Sequence, residues 1–354
     1  MNKGYLQFIV LYCLQQFNGE RSPSAIYHLL QGKKSSQTLQ DSKFFGLGFL
    51  FGVLKNVSRE DIYKVIRTME EKQLLLRVNE RNYKLTESGR LFLYKGLSEL
   101  PLPKHLNGLI YNQETIVFWQ RLSLVVQTVS NLLHTRNFEP IHRHEESLRW
   151  LKRFILAGKR ELHQLGKSLY LELEHLLSLL SEDEAAVFIL RLTSYERIGW
   201  TYEQIAIFFE RDPIYIQLIF QHVLHYMLAT VRKVPHRFPV LSGMLVERNF
   251  SVPLTASTKK TYELLLKGKT IEQISKVRGL KRNTIEDHIV EIAANIHDFS
   301  ITPFVDDKTR KMIIYYAEKL RTKQLKKIKE ALNGTVSYFE IRLVLAKRGS
   351  MNES

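Results

Sequence analysis

The sequence has almost no cysteine and no apolar segment long enough to cross a bilayer. Its single cysteine, Cys13, excludes internal disulfides and a cysteine-rich zinc site. The apolar stretch FFGLGFLFGVL falls short of the roughly 18 residues that a membrane-spanning helix needs. The N-terminal MNKGYLQFIVLYCLQQF has no small-residue cleavage site and predicts an amphipathic first helix. Together these absences predict a cytoplasmic protein.

The motifs of common enzymes are also missing. Gly268-Lys269-Thr270 resembles the end of a phosphate-binding loop, but Glu263 stands where such a loop needs its other glycine. The sequence has no nucleophile elbow, glycine-rich dinucleotide loop or kinase signature. His142 and His144 point to different sides of a helix and have no partner at metal-ligand spacing. We therefore predict a protein that is not an enzyme and uses no metal or cofactor.

Acidic residues are too few to balance the basic ones. The chain has 52 Lys and Arg against 36 Asp and Glu, which gives a net charge of +16. Such a field attracts polyanions, of which nucleic acid is the usual one. The alternative is a basic surface without a specific partner.

The segment TIEQISKVRGLKRNTIEDHI predicts two short helices joined by a tight turn. Thr270 and Gln273 have the spacing of a capping box, which marks a helix start. Gly279 suits the positive φ that a chain adopts just after a helix end. Asn283 and Glu286 suggest a second cap, so the segment is predicted to be a helix-turn-helix.

Residues 1–98 predict a winged helix. Ser58 and Asp61 suggest a helix start, and the extended runs Leu74–Val78 and Tyr83–Leu85 flank a polar tip, as in a β-hairpin. Thr86 then opens another helix.

This N-terminal part resembles the winged-helix module of RecQ-type DNA helicases. The resemblance rests on the spacing from GKKS to FGVLKN, on SREDI at the helix start and on LTESG after the hairpin. The chain lacks the cysteine-bound zinc subdomain of that family. Its hairpin tip, NERN, also lacks the aromatic residue that family members use to separate strands.

Residues 112–232 predict a helical middle domain, set off by proline-containing linkers at 100–108 and 232–243. The stretch from SEDEAAVF to QHVLHYML resembles region 4 of bacterial sigma factors. Thr201 and Gln204 repeat the cap of the later helix-turn-helix, since TYEQIA and TIEQIS share one pattern. The next helix, PIYIQLIFQHVLHYML, is apolar on nearly all sides, so we expect it to be buried.

The candidate DNA contacts are basic and polar side chains near the C-terminal turn and on the wing. These types contact phosphates and base edges. The predicted DNA-binding residues are Lys276, Arg278, Lys281, Arg282, Asn283, Thr284, Arg77, Arg81 and Lys84.

Residues 251–349 resemble the C-terminal helix-turn-helix domain of RecQ-type helicases, most specifically in the blocks at 254–292 and 335–349. Over most of its length the chain resembles the YpbB family, which carries this domain without a helicase motor beside a short RecQ-like helicase. The resemblance implies a partner that supplies DNA-binding modules to such a helicase.

The predicted fold class is therefore mainly α and modular, with a winged helix, a sigma-region-4-like middle domain and a C-terminal helix-turn-helix. The expected function is that of a DNA-binding accessory protein of a RecQ-type helicase in DNA repair or recombination, located in the cytoplasm with the nucleoid. The alternative is a transcription regulator that reads a specific operator. The apolar stripe FFGLGFLF and the apolar helix at 213–228 also suggest a protein interface, for the helicase or for self-association.

Overall fold

The chain is mainly helical. A computed structural model describes residues 4–157, 161–246, 254–296, 298–320 and 325–351. Within these ranges it contains eighteen α-helices and one two-stranded sheet. The predicted mainly helical class is confirmed.

The first five helices and the hairpin lie in the N-terminal quarter: α1 Leu6–Phe17, α2 Pro23–Gln31, α3 Ser36–Phe44, α4 Arg59–Glu71, β1 Leu75–Arg77, β2 Tyr83–Leu85 and α5 Glu87–Glu99. The central helices are α6 Gly108–Leu133, α7 Glu145–Ala157, α8 Leu162–Leu177, α9 Glu182–Leu190, α10 Tyr202–Phe208, α11 Pro213–Lys233 and α12 Pro239–Ser242. The last six are α13 Ala256–Leu266, α14 Ile271–Arg278, α15 Arg282–Asn295, α16 Asp307–Lys319, α17 Leu325–Ala331 and α18 Tyr338–Met351.

Contacts group the chain into two compact units that cut across its N-terminal part. The first unit contains residues 1–11, 49–65 and 91–248, and the second contains 12–48, 66–90 and 249–354. The predicted domains 1–98, 112–232 and 251–349 follow the chain order instead, and their boundaries stay predictions.

The core of the first unit is centred on α11. The start of α11 is fixed by Asp212, whose side chain accepts from the Ile214 amide over 2.8 Å, and by Pro213 at the first helical position. Leu218, Val223 and their neighbours on several sides of the helix are buried, so the predicted burial of α11 is confirmed. Among the described residues α11 is the one helix with the length and composition to cross a membrane, but 61% of its apolar window is buried in this core.

The predicted linker at 100–108 is packed rather than free. The amide of His105 donates to His222 Nδ1 and the amide of Asn107 donates to His225 Nδ1, each over 2.9 Å. Both histidines lie on α11, so this segment is tied to the core of the first unit by its backbone.

The predicted linker at 232–243 is packed as well, since it contains a short 3-10 turn and α12. Phe238, Val240 and Leu241 are buried. The buried Glu172 carboxylate accepts the amides of Val240 and Leu241, each over 2.9 Å. The carboxylate thereby satisfies two of the backbone amides at the start of α12, which have no acceptor within the helix itself.

The second unit has its own core, in which α15 is central. α15 packs against α18, α13, α14 and α3. The Lys43 ammonium at the end of α3 donates to the Ala294 carbonyl over 2.5 Å. Residues from the predicted winged helix and from the C-terminal helix-turn-helix thus share one unit.

The wing hairpin also belongs to the second unit. Leu75 pairs with Leu85 and Arg77 with Tyr83 in antiparallel register. The first strand is shorter than the predicted Leu74–Val78 run, because only residues 75–77 pair. After the hairpin, Thr86 Oγ1 accepts from the Gly89 amide over 3.0 Å, which confirms the predicted start of α5.

The apolar stripe does not form the predicted interface. Phe45, Leu47, Leu50 and Phe51 are buried to 4% exposure or less, so they stabilise the fold and are not available to a partner.

Candidate nucleic-acid interface

The candidate interface is built on the helix-turn-helix of α14 and α15. The Gln273 amide donates to Thr270 Oγ1 over 3.3 Å, and the Thr270 amide donates to Gln273 Oε1 over 3.1 Å. This reciprocal pair is the predicted capping box. α14 ends at Gly279, whose φ of 61° lies in the left-handed region that glycine adopts without strain. The predicted helix start and glycine stop are confirmed.

α15 begins two residues earlier than predicted. Lys281 takes the cap position, and its carbonyl accepts from the Thr284 amide over 3.0 Å. Asn283 is the second residue of the helix, so the predicted cap at Asn283 is wrong. The extended backbone that a cap needs falls at Lys281, immediately after the turn.

Isoleucines fix the angle between the two helices and limit what α15 can present. Ile274, Ile285 and Ile289 are fully buried. Every residue of α15 from His288 to Ala294 is buried, so only its first turns reach solvent. In helix-turn-helix proteins the N-terminal residues of the second helix are those that contact base edges.

Four of the predicted residues form the exposed turn group: Lys276, Lys281, Asn283 and Thr284. The first three are exposed and Thr284 is half-buried. No side chain of this group makes a hydrogen bond or ion pair with another described residue. The two lysine side chains have no partner in the described parts of the chain and lie beside an amide and a hydroxyl, so this surface would attract an anion and bond it.

Arg278 points inward and links α14 to α13. Its guanidinium donates to the Ser257 carbonyl over 2.6 Å and to Ser257 Oγ over 3.0 Å. It also reaches Thr261 Oγ1, which lies 2.8 Å from His288 Nδ1. Burial, assisted by the nearby Arg278 charge, lowers the pKa of His288. The guanidinium therefore stabilises the unit, and its predicted DNA contact would require breaking these bonds.

Arg282 is engaged in ion pairs at the surface. Its Nε donates to Glu286 Oε1 over 2.9 Å, and its Nη1 donates to the Glu272 carboxylate at the start of α14. These bonds, with Glu286 the larger contributor, raise the pKa of Arg282. A neighbouring anion would have to compete with two carboxylates for this guanidinium.

The three predicted DNA-binding residues of the wing differ in how readily their side chains could contact a phosphate. Arg77 donates to Glu70 Oε1 over 3.3 Å and to the Tyr83 hydroxyl over 3.2 Å. Lys84 is half-buried, and its stem lies so close to Gly19 that a Cβ there would meet its Cε at 2.9 Å. Arg81, at the hairpin tip, is exposed, and its side chain has no partner among the described residues. Of the three, Arg81 is the most available to a phosphate.

The sequence predicts the helix-turn-helix but does not reveal which basic side chains are bonded within the fold and which are open to DNA. Glu272, ten residues before Arg282, and Ser257, twenty-one before Arg278, become partners only when the helices pack. No local pattern marks such pairs.

The fold and the exposed turn group together define a helix-turn-helix protein of the class that binds DNA. Residues 257–345 match a protein family described as a helix-turn-helix domain. The chain is 36% identical over 350 residues to Protein YpbB of Bacillus subtilis (strain 168), covering 98% of this chain and 99% of that protein. The chain therefore belongs to the YpbB family. No solved structure matches it.

Proposed function

We propose that this protein is a non-enzymatic DNA-binding accessory of a RecQ-type helicase that acts in DNA repair or recombination. The observation that carries the proposal is the exposed turn group: two lysines without intramolecular partners among the described residues, at the turn of a helix-turn-helix. In this role the protein is located in the cytoplasm, with the nucleoid.

The chemistry of the exposed turn group favours contacts to the DNA backbone. Lys276 and Lys281 can neutralise phosphates, which releases counterions and gives affinity largely independent of sequence. The start of α15 adds the positive end of a helix dipole. An accessory that must accompany a moving helicase over any sequence needs this kind of binding.

Docking of the helicase is assigned to an exposed apolar patch in the first unit. Ile207 and Phe208 lie on α10 and are 78% and 62% exposed, and Phe208 meets the ring of Trp200 with centroids 5.5 Å apart. Ile198, two residues before Trp200 in the preceding loop, is 81% exposed. Exposed apolar groups that lie close together mark interaction surfaces more often than single ones do. The same patch could hold a second copy of the chain, which is the alternative occupant.

A transcription regulator is the second candidate, and Asn283 is the observation that favours it. An asparagine at the start of a recognition helix can bond adenine through two hydrogen bonds, which gives sequence specificity. Its position in the first turn of α15 is compatible with that contact.

The first experiment separates the two candidates. Fluorescence anisotropy would measure binding of the full-length protein to forked, single-stranded and blunt duplex DNA of arbitrary sequence, each titrated with salt. The accessory role predicts tight, steeply salt-dependent binding that favours forks. Weak binding to all three, together with tight binding to selected sequences, would instead support the regulator.

The second experiment tests the helicase contact. Copurification with the RecQ-type helicase of the same organism should be lost in Ile207→Ser/Phe208→Ser. The matched control is Leu179→Ser, which removes a 65% exposed leucine of the same unit outside the patch. Equal recovery of wild type and patch variant would contradict docking at this patch.

A further inference from the structure

A second basic surface lies on α16, away from the exposed turn group. α16 begins after Asp306, whose carboxylate accepts from the Thr309 amide over 2.9 Å. Ile313 and Ala317 are buried in the core of the second unit and fix which side of α16 faces inward. The opposite side is therefore presented to solvent.

The outer side of α16 carries five exposed residues in one row, which we call the α16 face: Lys308, Lys311, Met312, Tyr315 and Lys319. With 3.6 residues per turn these positions fall within an arc of about 100°. Tyr315 is 55% exposed and Met312 is 38% exposed. The row combines cations, which can contact phosphates, with an aromatic ring, on which a base can stack.

The positive charge of the α16 face is not compensated within the described structure. No lysine of the face makes an ion pair with another described residue. The two carboxylates of the helix lie outside the arc, both beyond its Lys311 edge, and have other partners. Asp307 lies 3.7 Å from Arg310, and Glu318 pairs with Arg348 at 2.5 Å. The face therefore presents three cations and no exposed acid between them.

Tyr315 gives the face an aromatic surface next to these cations. Its ring meets that of Tyr316 edge-on, with centroids 5.2 Å apart. The Lys319 ammonium lies 5.5 Å from the Tyr315 centroid. At an exposed site such a cation–π contact contributes only about 0.5–1 kcal/mol, so a stacking base can displace the flexible lysine toward a phosphate.

We propose that the α16 face binds single-stranded DNA, with Tyr315 stacking on a base and Lys308, Lys311 and Lys319 contacting phosphates. Lys308 and Lys319 are eleven residues apart, which is about 17 Å along a helix. At about 3.4 Å or more per nucleotide, this length spans about three to five nucleotides of one strand. A duplex fits less well, because its bases are stacked inside and offer no ring face to Tyr315.

The test is anisotropy of the full-length protein on labelled oligo-dT and on a blunt duplex, with Tyr315→Ala and Tyr315→Phe. Loss of one stacking contact should lower the affinity for oligo-dT about 5- to 100-fold in Tyr315→Ala. Tyr315→Phe keeps the ring and should bind like wild type, and duplex binding should change less than about twofold in both variants. The matched control, Tyr170→Ala, removes a 62% exposed tyrosine of α8 that is bonded to Glu174.

A charge variant tests the lysines independently. Lys311→Glu should weaken oligo-dT binding and reduce the salt slope by about 0.7, the contribution of one phosphate contact on a single strand. Lys152→Glu, at an exposed position of α7, makes the same change in net charge and should leave the slope unchanged.

Oligo-dT binding by Tyr315→Ala within twofold of wild type would overturn the proposal, and so would an equal loss on duplex and oligo-dT. The result is separable from the helix-turn-helix role. Lys276→Glu/Lys281→Glu should weaken duplex binding while the effect of Tyr315→Ala on oligo-dT persists.

Discussion

The two helix-turn-helix elements begin alike and end differently. In α10 the Gln204 amide donates to Thr201 Oγ1 over 3.3 Å, and in α14 the Gln273 amide makes the same bond to Thr270 over the same distance. Both are complete capping boxes. The shared Thr-x-x-Gln pattern therefore determines how each first helix starts, whereas the function depends on the turn and the second helix.

The second helices differ in what they expose at their start. α11 is buried along most of its length and has no lysine or arginine before its last turn. α15 is buried from His288 onward, but its first turn presents Lys281 and Asn283 to solvent. A repeated motif can thus serve packing in one unit and DNA binding in the other, with the charge near the turn as the difference.

The largest expected effect is the loss of stability when a buried side chain is removed from α15 or α11. It tests whether both of these second helices belong to a core. Ile289→Ala in α15 and Leu228→Ala in α11 each remove a fully buried side chain and leave a cavity. Each should lower the free energy of unfolding by about 2–5 kcal/mol in urea denaturation. A loss below about 1 kcal/mol for Ile289→Ala would show that α15 is less embedded than α11.

Arg278 tests the distinction between engaged and free cations at the turn. Arg278→Ala removes its bonds to Ser257 and Thr261 and should destabilise the protein by about 1–3 kcal/mol, because hydrogen bonds to charged groups are lost. Lys276→Ala, the control on the same helix, should change the free energy of unfolding by less than about 0.5 kcal/mol. Equal stabilities of the two variants would contradict the inward role of Arg278.

The buried histidines of α11 should make stability depend on pH. Burial lowers the pKa of His225 to about 3, and its Nδ1 accepts the Asn107 amide. The unfolded chain, with a histidine pKa near 6.5, binds the proton more readily than the folded chain, so stability is lost as pH falls below that value. We expect His225 to account for about 1–2 kcal/mol between pH 6.5 and pH 5.

The measurement for His225 is urea denaturation of wild type and His225→Gln at both pH values. The variant should lose less stability on acidification than wild type. His163→Gln, an exposed histidine of α8, is the control and should retain the wild-type pH dependence. Parallel loss in wild type and His225→Gln would refute the assignment.

The smallest expected effect on stability comes from the turns that follow α14 and α10. Gly279 and Glu210 both have a positive φ, of 61° and 51°. Gly279→Ala meets no atom within 4 Å, so its cost should be backbone strain alone, about 1 kcal/mol. Glu210→Gly should instead stabilise the protein by up to about 1 kcal/mol, since it relieves the same strain. Thermal denaturation would show shifts of the midpoint in opposite directions, and shifts of the same sign would contradict this account.

Local structure could be predicted from the sequence because caps and turns are short-range. The capping boxes at Thr201 and Thr270, the glycine stop at Gly279 and the burial of α11 all depend on residues close in sequence. The predicted cap at Asn283 was wrong because the extended cap backbone falls at Lys281, directly after the turn, and makes no side-chain cap bond that a sequence pattern could reveal.

Long-range packing could not be predicted in the same way. The two proline-containing segments suggested linkers, yet His222, His225 and Glu172 bind their backbone amides from distant helices. The packing of α3 against α15 joins segments about 250 residues apart, and no periodicity reveals such a contact. For the same reason, the sequence does not distinguish Arg278 and Arg282, whose partners lie on other helices, from Lys276 and Lys281, whose side chains have no partner among the described residues.

The claim that the turn between α14 and α15 binds DNA is tested most directly by the salt dependence of duplex binding by Lys276→Glu/Lys281→Glu. The control, Arg211→Glu/Lys233→Glu, reverses two exposed cations at the two ends of the buried helix α11 and changes the net charge equally. We predict that the first variant loses about two units of salt slope and at least tenfold in affinity at low salt, while the control stays near wild type. Equal binding by the two variants would contradict the claim that the turn between α14 and α15 binds DNA.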